Sequence, residues 1–152
     1  MTDAISSFTR EHEWLSNFWT GHVLIYSERR WKSAEHAYQA MKCRTFPEQE
    51  RIRLEAPKPI DAKRMGNRVI LRPNWDARKI GYMKAILNHK FADKSELARW
   101  LIATGDAHLE EGNRHGDLFW GTVDGKGENH LGILLMQRRA VLRGEVTARI
   151  GE

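Results

Sequence analysis

The chain has 152 residues, 41% of them hydrophobic and 30% charged, with a formal net charge of +5. That length supports one domain with a real core, and the absence of any apolar run near 18 residues excludes a transmembrane helix. Cys43 is the only cysteine, which excludes an internal disulfide and a four-thiolate metal site and makes a reducing cytoplasm the expected compartment. The first fourteen residues, MTDAISSFTREHEW, have no basic start followed by an apolar stretch, so no secretory signal is expected.

The charge is uneven. Residues 51–90 carry 11 Lys/Arg against Glu55, Asp61 and Asp76, a local excess of +8. Such a segment is either a solvated basic surface or a patch that attracts phosphates of a nucleotide or nucleic acid.

In chain order, residues 8–21 (FTREHEWLSNFWTG) interleave Phe8, Trp14, Leu15, Phe18 and Trp19 with polar residues and fit neither a helical nor a strand period. An irregular segment pinned by its aromatics is expected, in which Ser16 and Asn17 stand beside rings able to stack on a flat polar ligand. Val23–Tyr26 and Arg30–Trp31 predict a small hairpin turning at Ser27-Glu28-Arg29. Ser33 is placed to cap a helix running to about Arg44. Further helices are expected from Pro47 to about Glu55, from Pro59 to Met65, from Trp75 to about Phe91 behind Asn74, and from Asp93 or Ser95 to Ala103. In the Trp75 helix, Ile80, Met83, Leu87 and Phe91 have helical spacing; in the next, Leu97, Trp100 and Leu101 are expected inward. Leu118-Phe119-Trp120 reads as a short buried strand and Asp124–Gly127 as a turn. A last helix is expected from about Asn129 to Arg143, burying Leu131, Leu134, Leu135 and Leu142, followed by an eight-residue tail. The sum is an α+β chain, mostly α, with about six helices and a few short strands.

Two stretches carry chemistry. In WKSAEHAYQAMK (31–42), Glu35, Tyr38, Gln39 and Lys42 fall at i, i+3, i+4 and i+7 and form one stripe of a helix, beside a small apolar stripe of Ala34, Ala37 and Met41. This is a solvated face or one wall of a polar cleft. The second stretch, 104–121, is punctuated by Gly105, Gly112, Gly116 and Gly121 and holds Asp106, Glu110, Glu111 and Asp117; glycines let a ligand approach a backbone closely. No metal-ligand spacing, serine elbow, phosphate loop or dinucleotide fingerprint occurs, so neither metal nor cofactor is expected. Cys43 lies off the polar stripe and reads as structural. Carboxylates flanking a sugar carbon are what glycosidic cleavage needs, one acting as acid or activator and another stabilising positive charge on the ribose carbon.

The chain resembles the NADAR (YbiA-like) family over about residues 8–143. The likeness rests on Trp14-Leu15-Ser16-Asn17-Phe18; on Trp31, Ser33, Glu35, His36, Tyr38, Gln39 and Lys42; on Arg72, Trp75 and Asp76 with Lys90-Phe91; on Thr104-Gly105-Asp106 with Leu109 and Glu111; on Asp117, Trp120 and Gly121; and on Asn129, Leu131, Gly132, Leu134, Leu135, Met136 and Arg138. The resemblance implies one YbiA-like domain over 1–152 that hydrolyses an N-glycosidic bond to ribose. The substrate would be nucleotide-like: ADP-ribose attached to guanine, with DNA as carrier, or a ribosylamino-pyrimidine phosphate of riboflavin synthesis. Glu35 and Asp117, with Glu111 in reserve, are the expected catalytic carboxylates. Lys42 would act as an amine or as a charge, the amine role requiring a pKa lowered by burial. Trp14, Phe18, Trp75 and Trp120 are the expected stacking rings, Ser16, Asn17 and Asn129 the edge readers, and Tyr38 and Gln39 line the Glu35 stripe. The competing readings are a module that binds ADP-ribose without cleaving it, and a DNA-binding protein held by its basic segment.

Overall fold

The structure is a computed structural model that describes residues 3–147; the last residues of the expected tail lie outside that range. It contains a 3-10 helix, a two-stranded sheet and six α-helices among the described residues. The chain divides into two compact units, one formed by Asn17–Lys90 and the other by the residues up to Ser16 together with those from Phe91 onward.

In the first unit, β1 (Leu24–Tyr26) and β2 (Arg29–Trp31) form the expected hairpin, with Leu24 opposite Trp31 and Tyr26 opposite Arg29. Ser27 and Glu28 have φ of 53° and 60°, the left-handed pair that a two-residue turn between twisted strands requires. Trp31 closes the hairpin by donating its indole N–H to the Tyr26 carbonyl at 2.9 Å.

Four helices follow: α1 (Ala34–Met41), α2 (Phe46–Glu55), α3 (Pro59–Gly66) and α4 (Trp75–Lys90). Their starts are legible chemically. Ser33 Oγ accepts the His36 N–H at 3.1 Å, Thr45 Oγ1 accepts the Glu48 N–H at 3.4 Å, and the Asp61 carboxylate accepts the Lys58 N–H at 3.1 Å. Each satisfies a donor that the first turn of a helix leaves open. Prolines stand in the first turns of α2 and α3, where a missing N–H costs nothing. Asn74, before α4, adopts φ 61° and its carbonyl accepts the Ala77 N–H at 3.1 Å.

Helix α1 packs against α2, α3 and α4, and every residue from Ala34 to Met41 is buried. It is shorter than expected, because Lys42 caps it and Cys43 pairs in an isolated bridge with Leu71. Arg72 holds this end: its guanidinium donates to the Met41 carbonyl at 2.9 Å and the Cys43 carbonyl at 3.3 Å, and its N–H to the Lys42 carbonyl at 2.8 Å. In α4 the buried side is Trp75, Met83, Ile86 and Leu87, whereas Ile80 is 37% exposed. The periodicity located the helix but misplaced one edge of its buried face.

In the second unit the aromatic segment is more regular than expected, with a 3-10 helix over Arg10–Leu15. Ser95 Oγ caps α5 (Glu96–Ala103) by accepting the Ala98 N–H at 3.1 Å. Leu97 and Leu101 are buried as expected, while Trp100 stays 37% exposed. Helix α6 (His130–Leu142) buries Leu131, Leu134 and Leu135; Leu142, expected inward, is only half-buried. Leu118-Phe119-Trp120 is not a strand: it is a bend with Leu118 51% exposed. The Asp117 carboxylate accepts the N–H groups of Phe119 and Trp120, and the carbonyls of 118–120 accept those of Glu128, His130 and Leu131.

His36 is fully buried on α1 and neutral by geometry. Its Nε2 faces the Ala56 carbonyl at 3.0 Å, a pure acceptor, so Nε2 carries the proton and Nδ1 accepts the Ser33 hydroxyl at 2.7 Å. Burial, the largest cause, holds its pKa below the ordinary 6.5. A histidine kept neutral in the folded state stabilises fully above about pH 6.5 and loses that contribution as pH falls from there toward its lowered folded value. Urea unfolding at pH 7.5 and pH 5 is expected to show a loss of stability on acidification that is smaller in His36→Gln.

Candidate active site

The polar stripe on α1 is not solvated. Glu35 is 7% exposed and Gln39 3%, and the Gln39 amide donates to Glu35 Oε1 at 2.7 Å. The backbone of the aromatic segment is tied to the same place, since the Glu35 N–H donates to the Asn17 carbonyl at 2.9 Å. Asn17 is itself buried, with its amide nitrogen toward the Met83 sulfur at 3.5 Å. Asn17 Oδ1 and Gln39 Oε1 are buried without a hydrogen-bond partner among the described residues. Unsatisfied buried acceptors are uncommon, and Asn17 Oδ1 is a place where a ligand donor would be stabilised.

Gln39 is fixed from below by α3. A Cβ added at Gly66 would lie 1.9 Å from Gln39 Oε1 and 2.8 Å from its Cδ, so glycine at this position lets the two helices approach closely.

One turn further along α1, Lys42 is half-buried with its ammonium 5.7 Å from the centre of the Tyr38 ring. Tyr38 is in turn 5.4 Å from Trp75, which stacks on Tyr82 at 5.8 Å and 21°. Burial is the largest cause that lowers the Lys42 pKa from its usual 10.5; the Glu35 charge opposes it, and the nearby Lys63 and Lys79 charges add to the lowering. Burial therefore outweighs the carboxylate, in the direction a nucleophilic amine needs. Cys43 differs: burial pushes its thiol up to about 11, which leaves it an inert core residue.

The stacking candidates divide. Phe18 is 40% exposed. Trp75 is 6% exposed, with its faces occupied by Tyr38 and Tyr82. In the second unit, Trp14 donates its indole N–H to the Glu11 carbonyl at 3.0 Å and meets Phe91 and Trp100 edge-on at 6.3 and 5.7 Å. Trp120 packs edge-on against Phe119 at 4.9 Å. Ser16 is half-buried, its N–H donating to the Glu13 carbonyl at 3.0 Å.

The acidic loop of the second unit is braced by amides. Asp117 Oδ1 accepts the N–H groups of Phe119 and Trp120 at 3.1 and 2.9 Å. Asn113 donates to the carbonyls of Asp117 and Thr122 at 2.9 and 3.1 Å. Asn129, expected to read a base edge, has both ends of its amide on backbone: it donates to the Leu109 carbonyl and accepts the Glu111 N–H, each at 3.0 Å. Glu111 is half-buried beside this brace.

Much of the basic segment is also engaged. Arg51 pairs with Glu55, Arg53 with Glu50, Arg64 with Asp61 and Lys79 with Asp76, and Arg72 serves backbone carbonyls. Sequence reasoning missed Gly66, Lys63 and Lys79 as neighbours of the α1 stripe. The signal available was the three-residue spacing of Lys63 and Gly66 on α3.

Comparison with known proteins agrees with this arrangement. The NADAR domain profile matches residues 6–143. The chain belongs to the NADAR family. It is 38% identical over 117 residues to the N-glycosidase YbiA of Escherichia coli, covering 75% of this chain and 72% of that protein. It is 36% identical over 135 residues to a riboflavin biosynthesis protein of Vibrio vulnificus, covering 87% of this chain but only 36% of that longer protein. The solution structure of Escherichia coli YbiA superposes with a TM-score of 0.82 at 32% identity, covering 100% of this chain and 94% of that one. The α+β, mostly helical fold is therefore the YbiA fold.

Gly66→Ala isolates the α1–α3 contact. Alanine favours a helix by about 1 kcal/mol over glycine, whereas overpacking a well-filled contact costs about 1–3 kcal/mol. Denaturant unfolding is expected to show net destabilisation; a variant as stable as the wild type would mean that Gln39 moves aside freely.

Proposed function

We propose that this chain, acting as a single NADAR domain in the cytoplasm, hydrolyses an N-glycosidic bond between a ribose and a nitrogenous group. The observation that carries the reading is the buried Glu35–Gln39 pair with the half-buried, pKa-lowered Lys42 on the same face of α1. Family membership and the naming of relatives as N-glycosidases support it.

In this reading, Gln39 fixes the Glu35 carboxyl, which stabilises positive charge on the ribose C1′ as its bond to nitrogen weakens. Lys42 in its neutral form attacks C1′. The C1′–N bond breaks and the nitrogenous group leaves with one amine proton; the C1′–O4′ bond then breaks, O4′ takes the second amine proton, and the opened sugar is held as an imine on Nζ. Water then adds to the imine carbon and releases the sugar with the free amine. One water is consumed, and no oxidant or reductant is needed. Asn17 Oδ1 is the acceptor for a donor of the substrate, and Phe18 the exposed ring on which a base stacks. Asp117 and Glu111 remain candidates for a second carboxylate, tested by Asp117→Asn and Glu111→Gln. The substrate is nucleotide-like: ADP-ribose on guanine, with DNA as its carrier, or a ribosylamino-pyrimidine phosphate. Release of the free base from each, assayed side by side, decides between them.

Glu35→Gln is expected to lower turnover by about 100-fold or more while substrate still binds; unchanged turnover would overturn the assignment, and binding without turnover in the wild type would favour a recognition module. Because the Glu35 charge raises the Lys42 pKa, the same variant is expected to lower it further, read from the pH dependence of amine labelling at Lys42. Borohydride with substrate is expected to trap the sugar on Lys42. An active enzyme that yields no adduct would leave Lys42 only an electrostatic role.

A further inference from the structure

We propose that Arg72 is a positioning residue for Lys42: it holds the backbone on both sides of the lysine and, through Tyr82, the aromatic floor under its ammonium. The proposal rests on the reading of Lys42 as the reacting amine and adds the residue that aims it.

Lys42 stands where α1 ends, and a helix end leaves its last carbonyls without partners inside the helix. One residue supplies those partners. Arg72 Nε donates to the Met41 carbonyl at 2.9 Å, its backbone N–H to the Lys42 carbonyl at 2.8 Å, and Nη2 to the Cys43 carbonyl at 3.3 Å. Three consecutive carbonyls centred on Lys42 thus accept from Arg72 alone. On the helix side, the Lys42 N–H donates to the Gln39 carbonyl at 3.2 Å. The peptide groups flanking Lys42 are fixed from both directions, so its flexible four-carbon stem starts from a rigid root.

The tip of the lysine is referenced to the same residue. Arg72 Nη1 donates to the Tyr82 hydroxyl at 2.5 Å, and the guanidinium carbon lies 4.9 Å from the centre of the Tyr82 ring. Tyr82 stacks on Trp75, and Trp75 packs against Tyr38, whose ring centre is 5.7 Å from the Lys42 ammonium. Root and floor therefore share one anchor. A lysine or an amide at position 72 could satisfy one of these acceptors; the planar guanidinium fork reaches two carbonyls and a hydroxyl at once. An amine that must meet a single sugar carbon gains from such fixing, because a displacement of about 1 Å in a reacting group costs about 100-fold in rate.

Arg72→Lys keeps the charge and loses the fork, whereas Arg72→Gln loses both. Each is expected to lower kcat by about 10–100-fold with KM within about three-fold of the wild type. Labelling of Lys42 by an amine-reactive reagent, read by mass spectrometry across pH, needs no substrate. Burial is the largest cause that holds the Lys42 pKa below 10.5, so a lysine released from its anchor regains water and its labelling midpoint moves up in both variants. Tyr82→Phe removes only the hydroxyl acceptor and keeps the ring. It is expected to give a smaller loss of kcat in the same direction, and it carries the test if the Arg72 variants do not fold. Ile52→Val thins a buried position on α2 and should lower stability without either change. An unchanged kcat with an unmoved labelling midpoint in the folded variants overturns the proposal. So does a loss confined to KM, or an equal loss of kcat in Ile52→Val. If the wild type neither releases base nor traps sugar, yet the midpoint still shifts in the Arg72 variants, the anchor stands and the hydrolase reading falls.

Discussion

The burial of α1 on all sides governs the Asn17–Lys90 unit. A helix with one wet face can leave its polar side chains to water; this one cannot. Each polar group on it needs a protein partner, and the partners organise their surroundings. His36 is matched by Ser33 and Ala56, Glu35 by Gln39, and the carbonyls at the end of the helix by Arg72. These bonds hold α1 to the loop after α2 and to the segment before α4. The close approach of α3 depends on a glycine against Gln39. The consequence is a carboxyl and an amine held on one rigid element. Rigid support is what a reaction at a single sugar carbon requires, since small misplacements of a catalytic group are costly in rate.

The basic segment has more than one job. Its arginines are largely structural, joining carboxylates within a helix turn or gripping backbone carbonyls across elements. Guanidinium groups do this well because their planar fork makes several fixed hydrogen bonds at once. Net charge alone could suggest a nucleic-acid surface. The carboxylate and carbonyl partners of these arginines give much of that charge a structural role instead.

In the second unit, residues with catalytic-looking chemistry hold a loop in shape. Asn113, Asp117 and Asn129 supply the hydrogen bonds that a segment without regular secondary structure would otherwise lack. Gly121 and Gly132 allow the close backbone approaches that these braces need, a Cβ at either meeting a carbonyl oxygen at 2.0 or 2.1 Å. Dense Asn, Asp and Gly in a sequence thus mark either a binding loop or a self-bonded one, and the two are indistinguishable without coordinates because the same amides serve both.

The order of helices, the hairpin and its turn, and the Ser33 and Ser95 caps are set by local chemistry, and the sequence by itself determined them. So did the i, i+4 pairing of Glu35 with Gln39, which follows from helical geometry. Local spacing could not reveal that the Glu35 stripe is buried, that Ile80 and Trp100 lie at the surface, or that the 118–120 segment bends instead of forming a strand. Those outcomes depend on which elements pack together, and packing is a property of residues far apart in the chain. The tertiary structure alone decided that Lys42 loses enough solvent for burial to outweigh the Glu35 charge, because desolvation is imposed by α3 and α4 and not by the helix that carries the lysine.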